Sequence, residues 1–188
     1  MLRSSDNLAF NDFNDEDMRP GTDTWLSACQ TVRKAFEDHG CFMALYDKPG
    51  LELYNSVFSA MERLFDLPLE TKKQETSDKL FHGPREIVNK YANVVGELDR
   101  MVKRMVFENY GVDKQRSDSF LESNSYLLRG IKYRTAQTDE SNMGLHGHSD
   151  VTVLSILQQY LSGLEIKLKN GEWVEVDPSP SLFVVMAG

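Results

Sequence analysis

The sequence predicts an α+β fold in which helices of the first half support a sheet sandwich or jelly roll formed by the second half. Two observations support this class. Apolar residues recur at helical spacing in three segments before residue 111, and from Tyr126 onward the pattern shortens toward the alternation of extended chain. The 188 residues, 40% of them hydrophobic, are enough for one domain with a sizeable core.

Three amphipathic helices are predicted in the first half. The first ends at Gly40, the second ends at Pro68, and the third, from about residue 85 to residue 110, ends at Gly111. Apolar side chains repeat every three or four residues in each, so each helix buries one face. The piece CFMALYD, residues 41–47, is predicted to be a short strand between the first two helices.

A β-hairpin is the sharpest prediction in the second half, in the segment LEIKLKNGEWVEVDP. A two-residue Asn-Gly loop would mix core and solvent residues on one face. A three-residue loop with Gly171 in the left-handed region instead pairs Ile166 with Val174 and Leu164 with Val176. The last run, SLFVVMAG, is predicted to be an interior strand, either tightly packed or belonging to a domain that is cut short.

Charge and composition exclude several classes of function. The net charge is −8 and there is no long basic run, so we expect no nucleic-acid partner. No stretch approaches the ~20 apolar residues of a membrane span, and the first residues lack an apolar signal core. Two cysteines are too few for a disulfide framework. These features predict a soluble cytoplasmic protein, and none of them selects an oligomeric state.

The candidate chemistry lies in GLHGHSDVTVLS, where His146, His148 and Asp150 alternate and share one face of an extended chain. Positions 146 and 150 of a strand lie ~13 Å apart, whereas ligands must converge to ~2 Å from one ion. At most two neighbours can therefore chelate together. We favour His148 with Asp150, whose donors match the two-histidine, one-carboxylate triad of non-haem iron oxygenases.

The same spacing also fits a non-metal interpretation, in which Asp150 caps His148 near a turn and His146 is a hydrogen-bonded or surface histidine. Nucleophilic catalysis is disfavoured, because the chain has no G-x-S-x-G elbow, Cys-x-x-Cys pair or P-loop. On a strand, Ser149 would also face away from both of its neighbours.

The order of several segments resembles that of the plant 2-oxoglutarate- and Fe(II)-dependent dioxygenases. The segments are LAFNDF, HGCFMALYD, LFDLPLETKK, YLLRGIKYR, GLHGHSDVTVLSILQQ and GLEIKLKNGEWVEVDPSPSLFVVMAG. Two further segments, LETKKQETSDKLFHG and VKRMVFENYG, are most similar to the AOP type, the branch associated with glucosinolate side chains. The dioxygenases that oxidise auxin are the neighbouring branch.

This resemblance implies a helical N-terminal region at residues 1–115 and a partial jelly-roll domain at residues 116–188. It implies that His148 and Asp150 are iron ligands, and that Tyr133 binds the distal carboxylate of 2-oxoglutarate, although Ile131 replaces the asparagine of the family's Asn-x-Tyr motif. The strand faces near the ligands make three residues candidate pocket walls: Leu145, Leu154 and Ile156.

The implied chemistry is oxidation of a small plant metabolite by molecular oxygen, with Fe(II) as cofactor, 2-oxoglutarate as cosubstrate and ascorbate as reductant. Hydroxylation, desaturation and side-chain cleavage are all compatible with this class. The resemblance also implies a further segment near Gly83-Pro84 and, after Gly188, an aspartate, a second iron histidine and an Arg-x-Ser pair. The sequence contains none of these, so we expect little or no turnover. A partial sequence of an active oxygenase, a non-catalytic fragment and a metal-free binding module are the three alternatives.

Overall fold

The computed structural model describes residues 8–73, 82–137, 143–148 and 150–188. Within these ranges the helices are α1 Asp23–His39, α2 Gly50–Asp66, α3 Leu69–Lys73, α4 His82–Asn109 and α5 Lys114–Ser123. The strands are β1 Phe10–Asp12, β2 Cys41–Leu45, β3 Leu154–Leu157, β4 Leu164–Lys167, β5 Trp173–Val176 and β6 Leu182–Ala187. None of these helices is long and apolar enough to cross a membrane.

The three predicted helices are confirmed, and their ends follow from local chemistry. The hydroxyl of Thr22 accepts a hydrogen bond from the amide of Trp25 and caps α1, while Gly40 ends this helix with φ 75°. Gly111, with φ 68°, follows the end of α4. Helix α5 was not predicted, because its sequence KQRSDSFLES is mostly polar and buries little besides Leu121.

A four-stranded sheet in the order β1-β2-β6-β3 lies at the centre of the fold. Strand β1 runs parallel to β2, and β6 pairs antiparallel with both β2 and β3. The prediction that the last apolar run is an interior strand is confirmed, since β6 lies between two partners and buries Phe183, Val184 and Val185. Strands from the two ends of the chain thus share one sheet.

The predicted hairpin is confirmed in its register. Ile166 pairs with Val174 and Leu164 pairs with Val176. Gly171 closes the three-residue loop with φ 87°, a conformation that residues with a Cβ rarely adopt. The register places the apolar side chains of both strands on one face.

Two apolar clusters cover the two faces of the four-stranded sheet. The helix-side cluster contains Phe42, Val185 and inward residues of α1 and α4. The hairpin-side cluster contains Met43, Val184 and the buried face of the β4–β5 hairpin. Because strand side chains alternate, neighbouring residues of β2 and β6 belong to opposite clusters. This is the arrangement that an α+β fold with a partial sandwich requires.

The alternating segments that we expected to be extended differ from the prediction. In the described parts of residues 124–153 there is no strand, and β3 begins only at Leu154. Alternation indicates one buried face, but large apolar residues of this stretch, such as Leu127 and Val151, are exposed. A strand also needs a neighbour for its backbone hydrogen bonds, and β6 reaches only residues 154–157.

Both cysteines should be unreactive in the folded protein. Burial raises the pKa of the Cys29 and Cys41 thiols from 9.0 to about 11, and Glu108 adds to the effect at Cys29. At pH 8 the reactive thiolate is therefore about 100-fold rarer than in an unfolded chain. We expect a disulfide reagent such as 5,5′-dithiobis(2-nitrobenzoate) to label both thiols only after guanidinium is added. Fast labelling without denaturant would contradict the burial of these thiols.

Candidate metal centre

His148 and Asp150 lie together in the loop that leads into β3. The Nε2 atom of His148 is 3.3 Å from Oδ1 of Asp150. The Nδ1 atom of His148 lies 2.9 Å from the carbonyl oxygen of His146, which can only accept, so Nδ1 carries the proton of the neutral ring. Nε2 is then the nitrogen that carries no proton, as in a metal-ligating histidine whose other nitrogen donates to a carbonyl.

Asp150 is oriented by the strand that follows it. Its Oδ2 accepts a hydrogen bond from the hydroxyl of Ser155 in β3, and the hydroxyl of Thr152 lies 3.0 Å from that of Ser155. One carboxylate oxygen is thus held by β3 while the other faces His148. Ser155 was missed by the sequence analysis, although it ends the quoted motif, because its spacing of five residues from Asp150 marks no known ligand pattern.

The donor atoms fit a divalent non-haem metal in type and in separation. Two ligands bound at right angles, each ~2.1 Å from one ion, lie ~3 Å apart, close to the 3.3 Å between His148 and Asp150. An imidazole nitrogen and a carboxylate oxygen are donors of the facial iron triad. In the described part of the chain, no group of three or more histidine, cysteine, aspartate or glutamate side chains is gathered at one point. The described residues therefore supply the two donors of His148 and Asp150 at this point.

The structure also brings Tyr133 to this loop. The position that a Cβ would take at Gly144 is 2.6 Å from Cδ1 of Tyr133, so the ring lies directly on the glycine. The ring is 55% exposed. Three residues separate Gly144 from His148, so Tyr133 contacts the same loop that carries the two candidate ligands.

The three candidate pocket walls lie in different surroundings. Leu145 is exposed, next to the glycine that contacts Tyr133. Leu154 and Ile156 are partly buried and pack against the helix-side cluster. By alternation they face away from Ser155, which holds Asp150. Their role as pocket walls stays a prediction.

Replacing Gly144 with alanine should displace Tyr133 while leaving both candidate ligands in place. The new Cβ would overlap the ring at 2.6 Å, and the backbone of Gly144 is not in the left-handed region, so the loop itself tolerates alanine. We expect 2-oxoglutarate affinity to fall about tenfold with Mn(II) affinity unchanged, as measured by calorimetric titration. Gly147→Ala is the matched control, because nothing lies within 4 Å of its Cβ position. An equal loss in both variants would contradict the contact.

Two family models match the chain. The N-terminal model of non-haem dioxygenases in morphine synthesis matches residues 12–121, and the model of the 2OG-Fe(II) oxygenase superfamily matches residues 118–188. The chain belongs to the 2-oxoglutarate- and Fe(II)-dependent dioxygenase family. Its reaction class is that of an oxidoreductase, with Fe(II) as cofactor and 2-oxoglutarate as cosubstrate. The family resemblance seen in the sequence is thereby confirmed.

Relatives of this dioxygenase chain include proteins of the AOP type. It is 36% identical over 218 aligned positions to a probable 2-oxoglutarate-dependent dioxygenase AOP1 of Arabidopsis thaliana, covering 94% of this chain and 72% of AOP1. The alignment has 218 positions, which is more than the number of residues in this chain, so AOP1 has residues with no counterpart here. A probable inactive dioxygenase AOP2 of the same plant is 26% identical, over 93% of this chain and 74% of AOP2.

The fold is also that of solved dioxygenases. The 2-oxoglutarate binary complex of the Arabidopsis thaliana dioxygenase for auxin oxidation 1 superposes with a TM-score of 0.74 at 21% identity. The match covers 96% of this chain and 79% of that one. The predicted class, a helical region with part of a jelly roll, is confirmed.

Proposed function

We propose that the chemistry of this dioxygenase chain is oxidation of a small plant secondary metabolite of the glucosinolate type, by hydroxylation, desaturation or side-chain cleavage, and that two metal donors in the described residues support at most a low turnover. The observation that carries the proposal is the pair of donor atoms on His148 and Asp150, which lie 3.3 Å apart. Each of these two side chains is held by a hydrogen bond through its other polar atom. Similarity to AOP1 supports the choice of metabolite class. The net charge of −8 disfavours binding to the anionic backbone of nucleic acids and to anionic membrane surfaces.

Each residue of the proposed site has a separate task. His148 Nε2 and Asp150 Oδ1 would hold the metal, while the carbonyl of His146 and the hydroxyl of Ser155 fix the orientation of those two side chains. The hydroxyl of Tyr133 would donate to the distal carboxylate of 2-oxoglutarate. Bound Fe(II) and 2-oxoglutarate supply the activation of oxygen, with succinate and carbon dioxide as products and ascorbate keeping the iron reduced.

Thermal unfolding with Mn(II), a redox-silent substitute for Fe(II), tests this function. A ligand that binds only the folded state raises its stability by mass action. At 100 times its Kd we expect Mn(II) to raise Tm by about 5 °C or more, and 2-oxoglutarate to add a second increase only when Mn(II) is present. Unchanged Tm at millimolar Mn(II), with or without 2-oxoglutarate, would overturn the assignment.

A second candidate is a family member that binds metal or small molecules without turnover. The observation that favours it is the set of two metal donors in the described part of the chain, where three hold iron in this chemistry. The similarity to a relative named as inactive supports it as well. Succinate production from 2-oxoglutarate, measured with Fe(II) and ascorbate, separates the candidates. Mn(II) binding without succinate would favour the non-catalytic one.

A further inference from the structure

An irregular segment, residues 124–133, crosses the helical layer between α5 and the candidate metal centre. It has no helix or strand of its own, and Leu127 at its centre is 83% exposed. The side chains near its two ends and the backbone at Gly130 nevertheless make specific contacts with α4, α2 and the loop of His148 and Asp150. We call this segment the strap.

The first anchor of the strap is Tyr126, which packs against α4. Its hydroxyl donates to the carbonyl oxygen of Gly96 at 3.3 Å, and its ring packs closely on this glycine, with ring carbons 3.2 and 3.3 Å from the position that a Cβ of residue 96 would take. The ammonium of Lys103, one to two turns further along α4, lies 5.9 Å from the ring centroid. A glycine inside a long helix weakens it, so the close approach of Tyr126 is a physical reason for Gly96.

Beneath this anchor lies a buried ion pair. Nζ of Lys103 is 2.8 Å from Oδ2 of Asp99, and the two side chains are only 7% and 9% exposed. The side-chain amide of Asn124, at the start of the strap, donates to the same Asp99 oxygen at 3.4 Å. The strap thus supplies two of the groups that surround this pair, Asn124 and the ring of Tyr126.

The second anchor is on α2. A Cβ at Gly130 would lie 2.9 Å from Sδ of Met61, so the strap passes directly over that side chain. Nζ of Lys132 is 2.9 Å from Oδ1 of Asp66, at the end of α2. The next residue is Tyr133, whose ring lies on Gly144 of the metal loop.

We propose that the strap positions Tyr133: α4 and α2 hold residues 124–132, and this attachment keeps the Tyr133 ring against Gly144. The proposal rests on the function proposed above in one respect, namely that Tyr133 binds 2-oxoglutarate. The attachment itself does not depend on metal or cosubstrate. Tyr126 is therefore a positioning residue that acts on the site through Tyr133.

Limited proteolysis tests the attachment without any ligand. Arg129 and Lys132 are trypsin sites inside the strap, and cleavage at them requires that it lift from the helices. We expect Tyr126→Ala to speed cleavage after Arg129 and Lys132 about tenfold, and Tyr126→Phe, which keeps the ring on Gly96, to stay within about threefold of wild type. The cleavage sites are identified by mass spectrometry.

Tyr110→Ala is the matched control. Tyr110 directly follows α4, is exposed to an extent similar to Tyr126, and likewise makes one hydroxyl contact, with Glu37, and one cation–π contact, with Arg33. We expect this variant to leave cleavage after Arg129 and Lys132 unchanged. Equal rates of cleavage after Arg129 and Lys132 in Tyr126→Ala and Tyr110→Ala would overturn the proposal that Tyr126 attaches the strap to α4.

The link from the strap to the site is measured by titrating 2-oxoglutarate with Mn(II) bound. Tyr126→Ala should weaken 2-oxoglutarate binding about tenfold and leave Mn(II) affinity unchanged, because the hydrogen bond and ring contacts of Tyr126 are made with α4, whereas the two candidate ligands are oriented by His146 and Ser155. Unchanged 2-oxoglutarate affinity in a variant whose strap is cleaved faster would overturn the positioning of Tyr133. If wild-type protein binds no Mn(II), the proposed function fails, and cleavage alone then decides whether the strap is attached as proposed.

Discussion

Replacing His148 with alanine should weaken Mn(II) binding at least ~100-fold, because loss of a direct ligand exceeds the 10- to 100-fold cost of losing a group that only orients one. The variant leaves Asp150 as a carboxylate that is held by Ser155 and has lost the imidazole donor beside it. Binding is measured by calorimetric titration, and by the rise in Tm with Mn(II), which we expect to disappear. The fold should be unaffected, since the side chain of His148 is exposed.

His146→Ala is the control for this experiment. His146 lies two residues away in the same loop and is also exposed, and its contact with His148 is made through the backbone carbonyl, which alanine keeps. We expect its Mn(II) affinity to stay within about threefold of wild type. The opposite pattern, with loss in His146→Ala and retention in His148→Ala, would show that His146 is the ligand and that the proposed pair is wrong.

The elements that sequence reasoning predicted are those whose pattern is local. Helical spacing and a glycine stop determine α1 and α4, and the chemistry of Gly171 determines the register of the hairpin. The segment after Tyr126 was expected to be extended because its apolar residues alternate. Whether such a segment becomes a strand depends on a neighbouring strand, which spacing within one segment does not reveal.

The candidate site shows the same division. The spacing argument limited the three alternating side chains to a neighbouring pair, and the match of donor types to the facial triad selected His148 with Asp150. The structure places these two side chains side by side, although in a loop rather than in the strand that the argument assumed. The contacts that orient the two ligands are local in sequence, whereas those of the neighbouring tyrosines, Tyr126 with Gly96 and Tyr133 with Gly144, join residues 11 or more positions apart. No periodicity marks the tyrosine contacts, because they arise where an irregular segment meets a helix or another loop.

The buried ion pair beneath the strap should have the largest effect on stability. Asp99→Ala leaves the ammonium of Lys103 buried with no carboxylate partner, and we expect the free energy of unfolding to fall by ~3–5 kcal/mol. Urea unfolding measures this change as a lower midpoint at an unchanged slope. Asn124 would also lose its acceptor on Asp99, so trypsin cleavage in the strap should rise in the same variant.

Two further variants show whether the loss of stability comes from an unpaired buried charge or from a general sensitivity of α4 to substitution. The double variant Asp99→Leu, Lys103→Met replaces both charges with apolar groups of similar size, so it should recover most of the stability, because no unpaired charge remains. Asp38→Ala removes the carboxylate of another Lys–Asp pair one turn apart, Lys34 with Asp38, but in an exposed position, and should leave the urea midpoint nearly unchanged. If Asp99→Ala were as mild as Asp38→Ala, water would reach Lys103 in the folded protein, and the pair would not be the rigid base on which Asn124 and Tyr126 rest. Persistence of the loss in the double variant would instead assign it to packing of α4, because the charges would then be absent.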